Sequence, residues 1–168
     1  MLRILWLCGS ILYTRFVALP RILALDVGDR RIGLAITDPL GLTAQPLFTL
    51  HRTNLRADLK SIARFIRQHT VETLIIGNPW NADGTPSPQS LKTLAFAEAL
   101  KEAHPTLTHH LLDERLTTHE ANTLLGARTS RASRLDQKHL IDQVAAVLIL
   151  EAYLSTLTGP TLLPDPDA

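Results

Sequence analysis

Residues 21–37 read RILALDVGDRRIGLAIT. Apolar and small residues fill Arg21–Asp26 and Arg31–Thr37, and Val27-Gly28-Asp29-Arg30 stand between them. Two β-like runs joined by such a turn predict a hairpin, with Gly28 able to take a positive φ. A third short strand, Leu47–Leu50, is entered through Pro46. Asn54 can cap a helix in which Leu55, Leu59, Ile62 and Ile66 fall at helical spacing through Gln68. Thr73–Gly77 (TLIIG) reads as a fully buried strand, followed by a turn-rich stretch over Asn78–Gln89. A second helix covers about Ser90–Ala103, and Leu107–Leu112 is a fifth strand. Thr117 and Glu120 make a capping-box pattern for a helix stopped at Gly126. A basic stretch runs from Ala127 to Lys138, and the last helix, about His139–Leu157, is apolar on nearly all sides. The order β-β-β-α-β-α-β-α-α predicts an α/β fold, a mixed five-stranded sheet flanked by helices on both faces.

The 168 residues suit one domain. We expect it to span 21–157, with an N-terminal extension at 1–20 and a loose C-terminal tail at 158–168 that carries three prolines. The apolar run from Ile4 to Tyr13 is far short of the roughly 18 residues that cross a bilayer. It precedes no clear small-x-small cleavage site, and residues 1–20 read as translated from upstream of the natural start. A single thiol, Cys8, excludes an internal disulfide and argues against structural zinc, so a cytoplasmic location away from any membrane is expected. Lys+Arg number 17 against 16 Asp+Glu, which excludes a uniformly basic coat but leaves room for a local basic patch. Thirteen of those cations are Arg, whose planar fork suits phosphate.

In such a sheet, the first strand and the two crossover-connected strands run parallel, and their carboxyl ends share one edge. Those ends carry Asp26, Gly77-Asn78 and Asp113-Glu114, and Asp142, in the first turn or so of the final helix, could reach the same edge. Carboxylates converging there repel one another unless a cation lies between them, and hard oxygen ligands suit Mg²⁺ or Mn²⁺. Two such ions would stabilise the attacking and leaving oxygens of a phosphodiester cleavage. Each acid also has a plainer reading. Asp26 could open the turn, although small Gly28 beside it would let a phosphate approach. Asp113 and Glu114 point to opposite faces of an extended strand, so only one faces the site. Asp142 could favour a helix dipole, yet an acid beside Ala145, Ala146 and Ile149 needs a partner.

Arg128, Arg131, Arg134 and Lys138 read either as a mobile loop for phosphate contact or as a solvated surface. Arg56, Lys60, Arg64 and Arg67 share one side of the first helix and read as its solvent face. The seven His form no tight ligand cluster, and Leu34 stands where a P-loop needs Lys after Gly28 and Gly33.

Four stretches, in order, resemble the YqgF (RuvX) family of bacterial proteins. They are Leu25-Asp26-Val27-Gly28 with Arg30-Arg31-Ile32-Gly33, then Ile76-Gly77-Asn78-Pro79 with Asp83-Gly84-Thr85. Asp113-Glu114-Arg115-Leu116-Thr117-Thr118 and Ile141-Asp142-Gln143-Val144-Ala145-Ala146 complete the set. The resemblance implies an RNase H-like fold and metal-dependent hydrolysis of phosphodiester bonds. It implies 5′-end processing of pre-16S rRNA within ribosome biogenesis, by a monomer or homodimer acting on RNA or ribosomal precursor particles. Carried over by position, the catalytic and metal-binding acids are Asp26, Glu114 and Asp142, with Asp113 in reserve, and Arg30 and Arg31 contact substrate phosphates. Asn78 departs from the family, which often has an apolar residue there, and Thr117 stands where Ser is usual. A Holliday junction resolvase-like DNA endonuclease keeps the chemistry with branched DNA as substrate. A non-catalytic RNA-binding assembly factor is the other alternative, since acids at one edge show capacity for metal rather than turnover.

Overall fold

The computed structural model describes residues 5–7, 10–12, 20–81, 83–113 and 134–157. Strands β1 (Leu5–Leu7) and β2 (Ser10–Leu12) pair antiparallel with each other. The main sheet holds β3 (Arg21–Val27), β4 (Arg31–Thr37), β5 (Ala44–His51), β6 (Val71–Asn78) and β7 (Thr108–Asp113). Its order is β5-β4-β3-β6-β7. The expected hairpin pairs β3 with β4 antiparallel and continues into β5, while β6 runs parallel to β3 and β7 parallel to β6. The helices are α1 (Leu55–His69), α2 (Pro88–Ala103) and α3 (Arg134–Leu157).

Strand alternation builds two cores. Leu23, Leu25, Val27, Ile32, Leu34, Ile36, Leu74 and Ile76 meet Ile62 and Ile66 of α1 and Phe96 and Leu100 of α2. The intervening residues Ala24, Ala35 and Ile75 meet Ala146, Ile149 and Leu150 of α3. Small residues on the second face let α3 lie close to the sheet, and both faces are covered, as a mixed sheet with apolar central strands requires.

Three expectations need correction. The third strand begins at Ala44 rather than Leu47 and runs through Pro46, which an edge strand tolerates because one side of its backbone has no strand to bond. The last helix begins at Arg134, so Asp142 lies beyond its first turns and Arg134–Lys138 are helical rather than loop. Arg, Lys, Leu and Gln are good helix formers, and the charges of Arg134, Asp136 and Lys138 mask that in a sequence reading. Gly28 does not adopt positive φ; among the described glycines Gly41 and Gly84 do. What Gly28 supplies is space, because a Cβ there would stand 2.9 Å from the Arg31 carbonyl oxygen, which accepts its own N–H at 2.9 Å. The expected helix near Thr117–Gly126, Arg128, Arg131 and the 158–168 tail lie outside the described residues. Among the described residues, no helix is long and apolar enough to cross a membrane.

Candidate active site

Asp26 is the penultimate residue of β3 and pairs with Gly33 across the ladder. It shares a face with Ala24, the face covered by α3. Gly33 has no side chain to hold the helix away. A Cβ on it would stand 2.7 Å from the carbonyl carbon of Asp142, and closer still to its oxygen. The backbone of α3 at Asp142 therefore rests on the strand position facing Asp26.

The consequence is electrostatic. The Asp26 carboxyl is pushed up from its ordinary 3.8 to about 6, first by burial and then by the negative charge of Asp142. Asp142 has its partner: the Nε of Arg31, on β4, donates to its Oδ2 in an ion pair. Residues distant in the chain thus form a compact arrangement of two carboxylates and one guanidinium at the carboxyl end of β3.

A second set of bonds holds that edge in place. The Arg52 guanidinium donates to the Gly28 carbonyl at 2.8 Å and to Oδ2 of buried Asp58 at 3.1 Å, and it lies over the Phe96 ring. Thr53 N–H donates to the other Asp58 oxygen at 3.1 Å. On the other side, Gln89 in the first turn of α2 donates its amide to the Val27 carbonyl at 2.7 Å. Lys92 pairs with Asp29 at 2.6 Å. The ends of β3 and β4 are thereby tied to the starts of α1 and α2, so the acids sit on rigid elements.

The other sequence candidates fall as follows. Asp113 pairs in register with Asn78, the position that continues the Leu74 and Ile76 face beneath α1 and α2, so the sheet separates it from Asp26. Arg30 is exposed in the turn, while Arg31 is engaged with Asp142. Gly28 lies half-buried between the strands. Glu114, Arg128 and Arg131 lie outside the described residues, and of Arg134 only the backbone is described. Among the described residues, no group of three or more His, Cys, Asp or Glu comes together. Asp26 with Asp142 offers only hard oxygen donors, and the half-buried Asp26 is disfavoured as an anion. Such a set fits Mg²⁺ or Mn²⁺, which would relieve the repulsion.

Sequence reasoning missed the Arg52–Asp58 tie and the function of Gly33. Both left signals: Asp58 falls in helical register with buried Ile62 and Ile66, and a glycine inside a strand marks close backbone approach.

A family model described as RuvX, Holliday junction resolvase, matches residues 20–156. A Clostridium botulinum protein named "Putative pre-16S rRNA nuclease" is 45% identical over 139 residues, covering 82% of this chain and 98% of the relative. One of the same name from Moorella thermoacetica is 47% identical over 138 residues, covering 82% and 96%. Among solved structures, Thermus thermophilus RuvC with a Holliday junction substrate superposes at TM-score 0.50, with 13% identity over 82% of this chain and 97% of that one. Fowlpox virus resolvase with junction DNA superposes at TM-score 0.50, with 14% identity over 83% and 99%. With the sheet order, these likenesses establish the RNase H-like fold.

Proposed function

We infer, from the premise that this chain belongs to the RuvX (YqgF) family, that it is a nuclease hydrolysing phosphodiester bonds at the carboxyl end of β3. The carrying observation is that the Asp142 backbone rests on Gly33, the ladder partner of Asp26, which brings the two acids together at an edge tied down by Arg52 and Gln89.

Asp26 and Asp142 hold Mg²⁺ or Mn²⁺ in this reading, and Glu114 supplies the third carboxylate. Bound metal supplies positive charge for the phosphate oxygens and a lowered pKa for the attacking water. Asp26, with a pKa of about 6, is mostly ionised at neutral pH and ready to ligate. Arg31 orients Asp142 and places one positive charge beside the carboxylates. Exposed Arg30 contacts substrate phosphate, together with Arg128, Arg131 and Arg134, while the side Gly28 leaves open is filled by the Arg31 carbonyl rather than by a phosphate.

The substrate we propose is pre-16S rRNA, cut on its 5′ side in the cytoplasm, free or within ribosomal precursor particles. The names of relatives covered over nearly their whole length support it. The nuclease domain is residues 21–157, a reading supported by the family match to 20–156. Branched DNA is the second reading, favoured by the likeness to a resolvase bound to a junction. Cutting a symmetric junction calls for a symmetric dimer. A pre-16S 5′ fragment and a four-way DNA junction, each incubated with Mg²⁺, Mn²⁺ or chelator, test the choice alongside sedimentation mass. Metal-dependent cutting of the RNA supports the first reading, whereas cutting of the junction alone by a dimer supports the second.

A further inference from the structure

The outer face of α1 carries Arg56, Lys60, Arg64 and Arg67, and all four are exposed. The helix has one acid, Asp58, which is 2% exposed and ion-paired with Arg52, so it does not neutralise that face. A rise of about 1.5 Å per residue puts successive cations roughly 4.5–6 Å apart along the axis. In a chain of net charge +1, four cations without a helical counter-charge form a local positive stripe.

Beside the stripe, between β5 and α1, lies a cleft of about 340 Å³ lined by Phe48, Leu50, Ser61, Arg64, Phe65 and Gln68. Its volume lies within the roughly 300–1,000 Å³ of small-ligand sites. Phe48 is 46% exposed, a high value for a large apolar ring. Its ring lies 5.4 Å from that of Phe65, which stacks in turn on His69. Arg64 belongs to both stripe and cleft.

We propose that this stripe and cleft form a binding track for single-stranded nucleic acid, with phosphates along the α1 cations and an unpaired base on Phe48. Cations interleaved with an exposed ring match what a single strand offers, a charged backbone and free base faces. A duplex keeps its base faces stacked on one another and has none to present to Phe48. The track starts at the nuclease edge, because Arg52 N–H donates to the Arg30 carbonyl at 3.0 Å and its guanidinium bonds Gly28. Its role in feeding substrate to Asp26 rests on the nuclease reading; its binding of a strand does not.

Binding is therefore tested without metal or cleavage. A labelled oligouridylate of about 16 nucleotides, its deoxy counterpart and a duplex of equal length are titrated against the full chain in chelator, across a salt series, by fluorescence anisotropy. Lys60→Glu/Arg64→Glu should weaken single-strand binding and lower the salt slope by roughly 1.4, about 0.7 per lost phosphate contact. Phe48→Ala should weaken single-strand binding by roughly tenfold with the slope unchanged. Lys101→Glu, at an exposed position of α2, controls for half of that charge change and should do neither. Equal effects on the RNA and DNA strands place the recognition in backbone and base faces, while loss of RNA binding alone adds a sugar contact to the track. Variants that bind like the parent would make the stripe a solvated face and overturn the proposal. So would a duplex bound as tightly as a single strand with no effect of Phe48→Ala, or a cleft closed by a second copy in sedimentation.

Discussion

Gly33 and Asp142 are in contact through backbone alone: the Asp142 peptide occupies the space a side chain at Gly33 would fill. That contact sets the depth at which α3 crosses the sheet. Because Gly33 is the ladder partner of Asp26, it also brings the two acids to one place. Arg31, two residues earlier on β4, holds the Asp142 carboxylate from the side.

Gly33→Ala should then act on structure and activity together. The added methyl meets backbone, which cannot rotate away, so we expect a loss of about 3 kcal/mol, at the upper end of the overpacking range. A helix displaced by about 1 Å would cost on the order of 100-fold in turnover. Urea melts and single-turnover cleavage read the two effects.

Asp26 confers a pH dependence of defined sign. Its folded pKa, about 6, lies above its ordinary 3.8, so the folded chain binds the proton more tightly. Stability should fall as pH rises from roughly 4 to roughly 6 and remain lower above that, by up to about 3 kcal/mol. Asp26→Asn removes this cost: the variant should be more stable than the parent near neutral pH and gain nothing near pH 4. Melts at the two pH values check it, and a gain of equal size at both would contradict the burial of an ionised Asp26.

Arg31→Ala should leave two carboxylates without their internal cation. Both partners of the pair are partly open, 28% and 20% exposed, so we expect a loss of only about 1–2 kcal/mol. Mg²⁺ or Mn²⁺ should raise the melting temperature more in this variant than in the parent, since metal then replaces a missing charge. Thermal shift with and without chelator reads the difference.

Asp58 is the buried half of the pair that ties α1 to the β3–β4 turn. Asp58→Ala leaves the Arg52 guanidinium without its carboxylate and frees the Gly28 end of the turn, at a cost of about 3 kcal/mol. A lowered urea midpoint with an unchanged slope would be the signature.

Much of the fold was legible because its signals are local. The two runs flanking Gly28 form the central hairpin, TLIIG is the buried parallel strand, and Asn54 does cap α1, accepting from Ala57 N–H. Element ends were less legible, since they depend on neighbours. Pro46 is accommodated by its edge position, Ser87 caps α2 with Pro88 in the first turn, and α3 starts among charged residues at Arg134. At the site, the acids could be read as strand ends and as a carboxylate on an apolar helix face. Arg31 as the partner of Asp142 could not, because no spacing in the chain encodes a contact between β4 and α3. Register likewise decides that Asp113 lies on the opposite face from Asp26.

The most direct test is single-turnover cleavage of a 5′-labelled pre-16S rRNA fragment by the parent and by Asp26→Asn, in Mn²⁺ and in chelator. We expect site-specific cutting by the parent in Mn²⁺, none in chelator, and a loss of at least about 1,000-fold in a variant that melts no lower than the parent. Cutting by Asp26→Asn at the parental rate, or by the parent in chelator, would contradict a nuclease built on the carboxylate at the end of β3.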